Sequence, residues 1–230
     1  MQATRVNPGL GRRIGNVRSL TGMGGQGIAG SPSETMPALR KIALFGGTFD
    51  PVHLGHVHLA GVARDKLGLD EVRFLPCRIS PHKQDAVPAS ATDRLEMLRL
   101  ATADLPWAAV DDFEVRREGP SYSWQTAEAM VARFPNARLF WIMGGDQWEA
   151  LATWAEPQRL AACVEFIVFA RGGKMPQARG GFRMHPLDGS HPASATEIRE
   201  ACARGETNHP WLEPAVSRWI RTQHLYQRAQ

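Results

Sequence analysis

Cysteine is scarce in this 230-residue chain, and the three present, Cys77, Cys163 and Cys202, are widely spaced with no CxxC pair. A disulfide scaffold and a cysteine-ligated zinc site are thereby excluded, and a reducing compartment, the cytoplasm, is expected. Long apolar runs are missing too. The longest, around Leu139 to Met143 and Phe166 to Ala170, fall far short of the roughly 18–20 residues that cross a bilayer. Charge of one sign is also lacking in most of the chain. Of the net +4, the four arginines Arg5, Arg12, Arg13 and Arg18 against Glu34 place +3 in the first 36 residues. The remainder is nearly neutral, which argues against a basic nucleic-acid-binding face. No internal repeat and no GxxxxGK[ST] phosphate loop occurs.

What is present has the composition of a folded protein, with 43% apolar and 22% charged residues. Residues 1–36 are rich in Gly, Ser, Arg and Thr and follow neither a helical nor a strand period, so they are expected to be a disordered extension. Met36 stands directly before the first strand-like segment and is a candidate alternative translation start. Residues 37–230 are expected to form one domain. Within it apolar strands at 41–45, 72–75, 109–115, 139–143 and 164–169 alternate with helices at 55–67, 92–103, 123–134, 158–163, 195–203 and 213–225. This alternation predicts an α/β fold, a mostly parallel sheet with helices on both faces, and ligands beyond the carboxyl ends of the strands. Residues 171–193, rich in Gly and Pro, receive no role.

Two glycine motifs compete for a phosphate. Gly22-Met-Gly-Gly-Gln-Gly27 fits GxGxxG but has neither a strand before it nor a helix after it. Gly46-Gly-Thr-Phe-Asp-Pro-Val-His-Leu-Gly-His56 has both. There the glycines allow close backbone approach, Thr48 and Phe49 offer N–H groups, and the helix N-terminus favours anions. His53 and His56, three apart around the first helical turn, can aim both imidazoles at one spot. Other local patterns are less specific taken singly. Ser194-Ala-Thr-Glu-Ile-Arg199 is a capped helix start, Gly144-Gly-Asp146 a turn after a strand, and His82-Lys83 a basic loop.

Together these motifs resemble the nucleotidylyltransferase superfamily that carries the [HT]xGH signature. Ser80-Pro-His-Lys83, Ser121 to Thr126, Gly144-Gly-Asp146 followed by Trp154, and Ser194 to Arg199 resemble, in order and spacing, the bacterial nicotinate-nucleotide adenylyltransferase family. The resemblance covers about residues 41–225. It implies a Rossmann-like nucleotidylyltransferase fold and transfer of AMP from ATP, with Mg2+ arriving on the nucleotide, to nicotinate mononucleotide. It implies His53, His56, Lys83 and Arg199 as catalytic groups, and Gly46, Gly47, Thr48, Phe49, Gly55, Gly144, Asp146, Ser194 and Thr196 as ATP contacts. Cys77, His82, Thr126 and Trp154 are the implied nicotinate-nucleotide contacts, Trp154 by ring stacking and Thr126, or a nearby backbone N–H, by bonding the carboxylate. No resident metal site, nucleic acid or membrane partner is implied. Ala155, where many relatives carry Tyr, and Cys77, where relatives often have Asn, depart from the pattern. Nicotinamide mononucleotide or phosphopantetheine as acceptor, and a non-catalytic nucleotide sensor or RNA-binding module, remain open alternatives.

Overall fold

Apolar residues on both faces of the first strand dictate a sheet covered twice. In β1 (Arg40–Gly47), Ile42 and Leu44 point to one side and Ala43 and Phe45 to the other, and all four are buried. The computed structural model describes residues 38–80, 88–170, 172 and 174–227. The Gly22 to Gly27 motif and the proposed extension lie outside these residues. So do His82 and Lys83.

In chain order β1 is followed by α1 (Leu54–Leu67), β2 (Glu71–Pro76), α2 (Ala91–Thr102), β3 (Ala108–Val110), α3 (Phe113–Arg116) and α4 (Ser123–Arg133). Then come β4 (Ala137–Gly144), α5 (Gly145–Glu149), a single 3-10 turn (Leu151–Thr153), α6 (Pro157–Cys163), β5 (Glu165–Phe169) and β6 (Met184–Leu187). Helices α7 (Ala195–Ala203) and α8 (Pro214–Thr222) close the fold. The sheet order is β3-β2-β1-β4-β5-β6 and every neighbouring pair is parallel. This is the doubly wound arrangement whose strand order reverses between β1 and β4, opening a crevice at their carboxyl ends. One apolar cluster packs α1, α2, α7 and α8 on Ala43, Phe45, Phe74, Phe140 and Ile167. The other packs α4, α5 and α6 on Ile42, Leu44, Trp141, Phe166 and Val168.

Two expectations are corrected. The strand expected over 109–115 stops at Val110. The Asp111 carboxylate accepts from the Phe113 N–H at 3.0 Å and pairs with Arg73 and Arg133, turning the chain into α3. The segment 171–193, given no role and no element from sequence, contributes the edge strand β6, whose Pro186 interrupts any strand pattern in sequence.

Candidate active site

The signature fills the turn from β1 into α1, at the point where the strand order reverses. His53 is the residue before α1, extended at φ −143° and ψ 168°, and its N–H donates to Nδ1 of His56 at 3.2 Å. That bond makes Nδ1 an acceptor, so in the neutral ring the proton sits on Nε2 and is available as a donor. The two rings stack with centroids 3.7 Å apart. Nδ1 of His53 is buried without a partner among the described residues. A neutral ring carries one proton, and the Nε2 tautomer of His53 would present it away from the buried Nδ1. Burial, reinforced by His191, lowers the His53 pKa to about 4. His53 is therefore neutral at pH 7, a hydrogen-bond donor rather than a cation.

Each glycine of the signature has a local reason. A Cβ on Gly46 would come within 2.9 Å of the Trp141 ring, and one on Gly55 within 3.0 Å of His53 Nδ1. A Cβ on Gly47 would meet the Phe49 ring at 3.1 Å. Phe49 itself adopts φ 51°, in the left-handed region, with its ring buried against Phe45 and Phe74. At the start of α1 the Leu54 N–H is taken by the Trp211 carbonyl at 2.8 Å and the His56 N–H by the His53 carbonyl at 2.9 Å. The Gly55 and Phe49 N–H groups have no acceptor among the described residues. Gly55 is a donor at the positive end of α1, and Phe49 is a donor in the turn that precedes it.

Asp50 gathers distant parts of the chain onto this turn. Its Oδ1 accepts from the Ala89 N–H at 3.0 Å and from the Tyr226 hydroxyl at 2.7 Å. Its carbonyl accepts from Arg199 at 2.7 Å, and Arg199 also donates to Thr196 Oγ1 at 3.2 Å. Ser194 caps α7 by accepting from the Glu197 N–H. The Ser194 to Arg199 motif thus reaches the turn that carries the histidines, through Arg199 and the Asp50 carbonyl.

Across the strand reversal, β4 ends at Gly144 and Asp146 lies in α5. A Cβ on Gly144 would meet nothing within 4 Å, so this end of the crevice is open. Cys77 follows β2 and is buried, with Sγ 3.8 Å from Thr48 Oγ1. Trp154 ends the 3-10 turn and packs half-buried on the α4 and α6 side of the sheet.

Thr126 requires a correction. It is 0% exposed and its hydroxyl donates to Glu114 Oε1 at 2.8 Å, so it has no donor left for a substrate carboxylate. Burial raises the Glu114 pKa, against the hydrogen bonds from Thr126 and Ser121 that lower it. Ser121 also accepts from the Arg78 N–H at 3.0 Å. Thr126 therefore belongs to a buried network that joins the start of α4 to the loop after β2. Sequence reasoning missed Asp50, His191, Tyr226 and Arg94. Only Asp50, inside the signature, had a signal that could have found it.

Residues 44–201 match the sequence profile of the cytidylyltransferase-like family. A probable nicotinate-nucleotide adenylyltransferase of Neisseria meningitidis serogroup C is 40% identical over 203 residues, covering 83% of this chain and 100% of that protein. The chain belongs to the nicotinate-nucleotide adenylyltransferase family. A probable member from Exiguobacterium sibiricum is 37% identical over 187 residues, covering 81% of this chain and 98% of its own. Among solved structures, the nicotinic acid mononucleotide adenylyltransferase of Plasmodium falciparum complexed with NaAD superposes with a TM-score of 0.67 at 16% identity. That superposition covers 81% of this chain and 97% of the other, and it establishes the shared fold. Family membership and fold agree with the sheet order and with the position of the histidine loop.

Proposed function

We propose that the chain transfers AMP from ATP to nicotinate mononucleotide, forming deamido-NAD and pyrophosphate. The observation that carries this reading is the histidine signature at the strand reversal, in a chain 40% identical to a probable nicotinate-nucleotide adenylyltransferase along that protein's full length. A phosphate of the acceptor attacks the α-phosphorus of ATP in line, one P–O bond forms, and the bond to the departing pyrophosphate breaks. The attacking phosphate is already ionised at pH 7, so no general base is needed. Positioning and charge stabilisation carry the reaction.

The groups present suit that task. Nε2–H of His53 and His56, with the Gly55 and Phe49 N–H groups, offer hydrogen bonds to phosphate oxygens. Arg199 stands near the same turn through the Asp50 carbonyl. We assign Lys83 and His82 to the phosphate and acceptor side on the motif alone. Asp146 is assigned to ribose hydroxyls and Trp154 to the pyridine ring. Among the described residues no group of three or more His, Cys, Asp or Glu is arranged to hold an ion, and the donors around the signature are imidazoles and N–H groups. We therefore place Mg2+ on the ATP phosphates, where it would neutralise the leaving pyrophosphate. No described helix is long and apolar enough to cross a membrane, and we place the reaction in the cytoplasm without a nucleic-acid partner.

A nucleotide sensor with this fold would need affinity alone, so substitution of His56 separates the two readings. His56→Ala is expected to keep MgATP affinity within about tenfold while turnover falls on the order of a hundred- to a thousandfold. Unchanged turnover in a folded His56→Ala protein would refute the proposed role.

A further inference from the structure

Arg94 lies in the first turn of α2, and its side chain is among the largest fully buried ones, at 1% exposure. All of its described hydrogen bonds go to main-chain carbonyls. Nε donates to Ala89 at 3.0 Å, one terminal nitrogen to Thr48 at 2.9 Å and Cys77 at 2.7 Å, and the other to Arg78 at 3.4 Å. A guanidinium keeps its charge in a protein interior, and burying it without a carboxylate is costly even when carbonyl dipoles surround it. Leu or Met would fill the same volume without that cost. The carbonyls Arg94 holds are those of the loop after β1, the loop after β2 and the entry to α2.

In a trans peptide the C=O and N–H point in opposite directions. Holding the Thr48 carbonyl on Arg94 therefore turns the Phe49 N–H away from α2, and that N–H has no acceptor among the described residues. The Cys77–Arg78 peptide shows the same relation. Its carbonyl accepts from Arg94 and its N–H donates to Ser121 on the other side. We propose that Arg94 is a positioning residue: one buried cation fixes the Thr48–Phe49 peptide with its N–H facing the substrate phosphates and locks the β1 and β2 loops to each other. Its charge adds to the positive end of α1 in a region that receives anions. The proposal rests on the reading of the crevice as the site where ATP and an acceptor phosphate meet.

The test compares Arg94→Met, which fills the volume, and Arg94→Lys, which keeps the charge without the fork, with Leu98→Ala as a stability control. Leu98 is also on α2 and is 0% exposed, but its side chain packs in the apolar cluster and has no donor with which to hold a carbonyl. Pyrophosphate release, thermal midpoint and the amide resonance of Phe49 during titration with inorganic pyrophosphate are recorded for each. Arg94→Met is expected to lose turnover on the order of a hundredfold and to lose the Phe49 amide response. Arg94→Lys is expected to recover part of both. Leu98→Ala should lower the midpoint yet keep turnover near wild type and keep the amide response. Wild-type turnover and an intact Phe49 response in folded Arg94→Met would overturn the proposal. So would losses in both Arg94 variants that match Leu98→Ala at equal midpoint. If wild-type protein itself releases no pyrophosphate, the reaction is misread, and the Phe49 response alone still decides the role of Arg94.

Discussion

His53 and His56 share a motif but meet different surroundings. His56 receives a main-chain N–H on Nδ1, whereas His53 Nδ1 is buried against Gly55 without a partner among the described residues. With its pKa lowered from 6.5 to about 4, His53 binds a proton more readily in the unfolded chain than in the folded one. Stability must therefore rise with pH between about 4 and 6.5 from this residue, and the contribution is flat above that window. His53→Gln is expected to flatten the window by roughly 3 kcal/mol, read from urea unfolding at successive pH values. An unchanged pH slope would mean that His53 is not buried neutral. Arg94 illustrates what sequence hides at this scale. A charged residue beside Leu95 and Leu98 in an amphipathic helix reads as part of the solvated face, and only the fold reveals carbonyls converging on it. Thr126 illustrates the reverse error, since its motif suggested a ligand contact and its hydroxyl belongs to buried Glu114.

Between β1 and α1, and again between β4 and α5, a strand ends in glycine and a helix begins over the crevice. Gly46, one residue before the end of β1, and Gly144, the last residue of β4, do different things. Gly46 is needed by the protein, because a Cβ there would strike Trp141, while Gly144 faces open space. Gly46→Ala is expected to cost about 1–3 kcal/mol of stability through overpacking, measured by chemical denaturation. Gly144→Ala is expected to leave stability within about 0.5 kcal/mol and to raise the KM for ATP, since the added methyl meets only a ligand. A destabilised Gly144→Ala with normal KM would contradict this division. Elements with long periodic patterns were legible in sequence, α1, α2, α4, β1 and β4 among them. Short β2, β5 and α6 were legible as well, but the end of β3 and the strand β6 were not. Asp111 ends β3 through a side-chain bond that hydrophobic periodicity does not register, and β6 exists because β5 supplies a parallel partner to a segment containing Pro186.

At the scale of the molecule, the sheet order places the β1 and β4 turns side by side although nearly a hundred residues separate them. Asp50 then ties that site to residues 149 and 176 positions away, through Arg199 and Tyr226. These long-range bonds were invisible in the sequence, whereas the family signature and the alternation of strands and helices were plain in it. Every described residue assigned to the site lies after Arg40. A chain starting at Met36 is therefore expected to keep the kcat and KM of the full chain in the same assay. A folded but inactive shortened chain would show that residues 1–35 take part.

Pyrophosphate release from MgATP, with nicotinate mononucleotide and nicotinamide mononucleotide compared at equal concentrations, tests the central claim most directly. The account predicts rapid release with nicotinate mononucleotide, a product carrying both nucleotides, and a kcat/KM for nicotinamide mononucleotide lower by about a hundredfold or more, as expected when a site built for one polar group meets another. Release from neither mononucleotide by the folded full-length chain would contradict it.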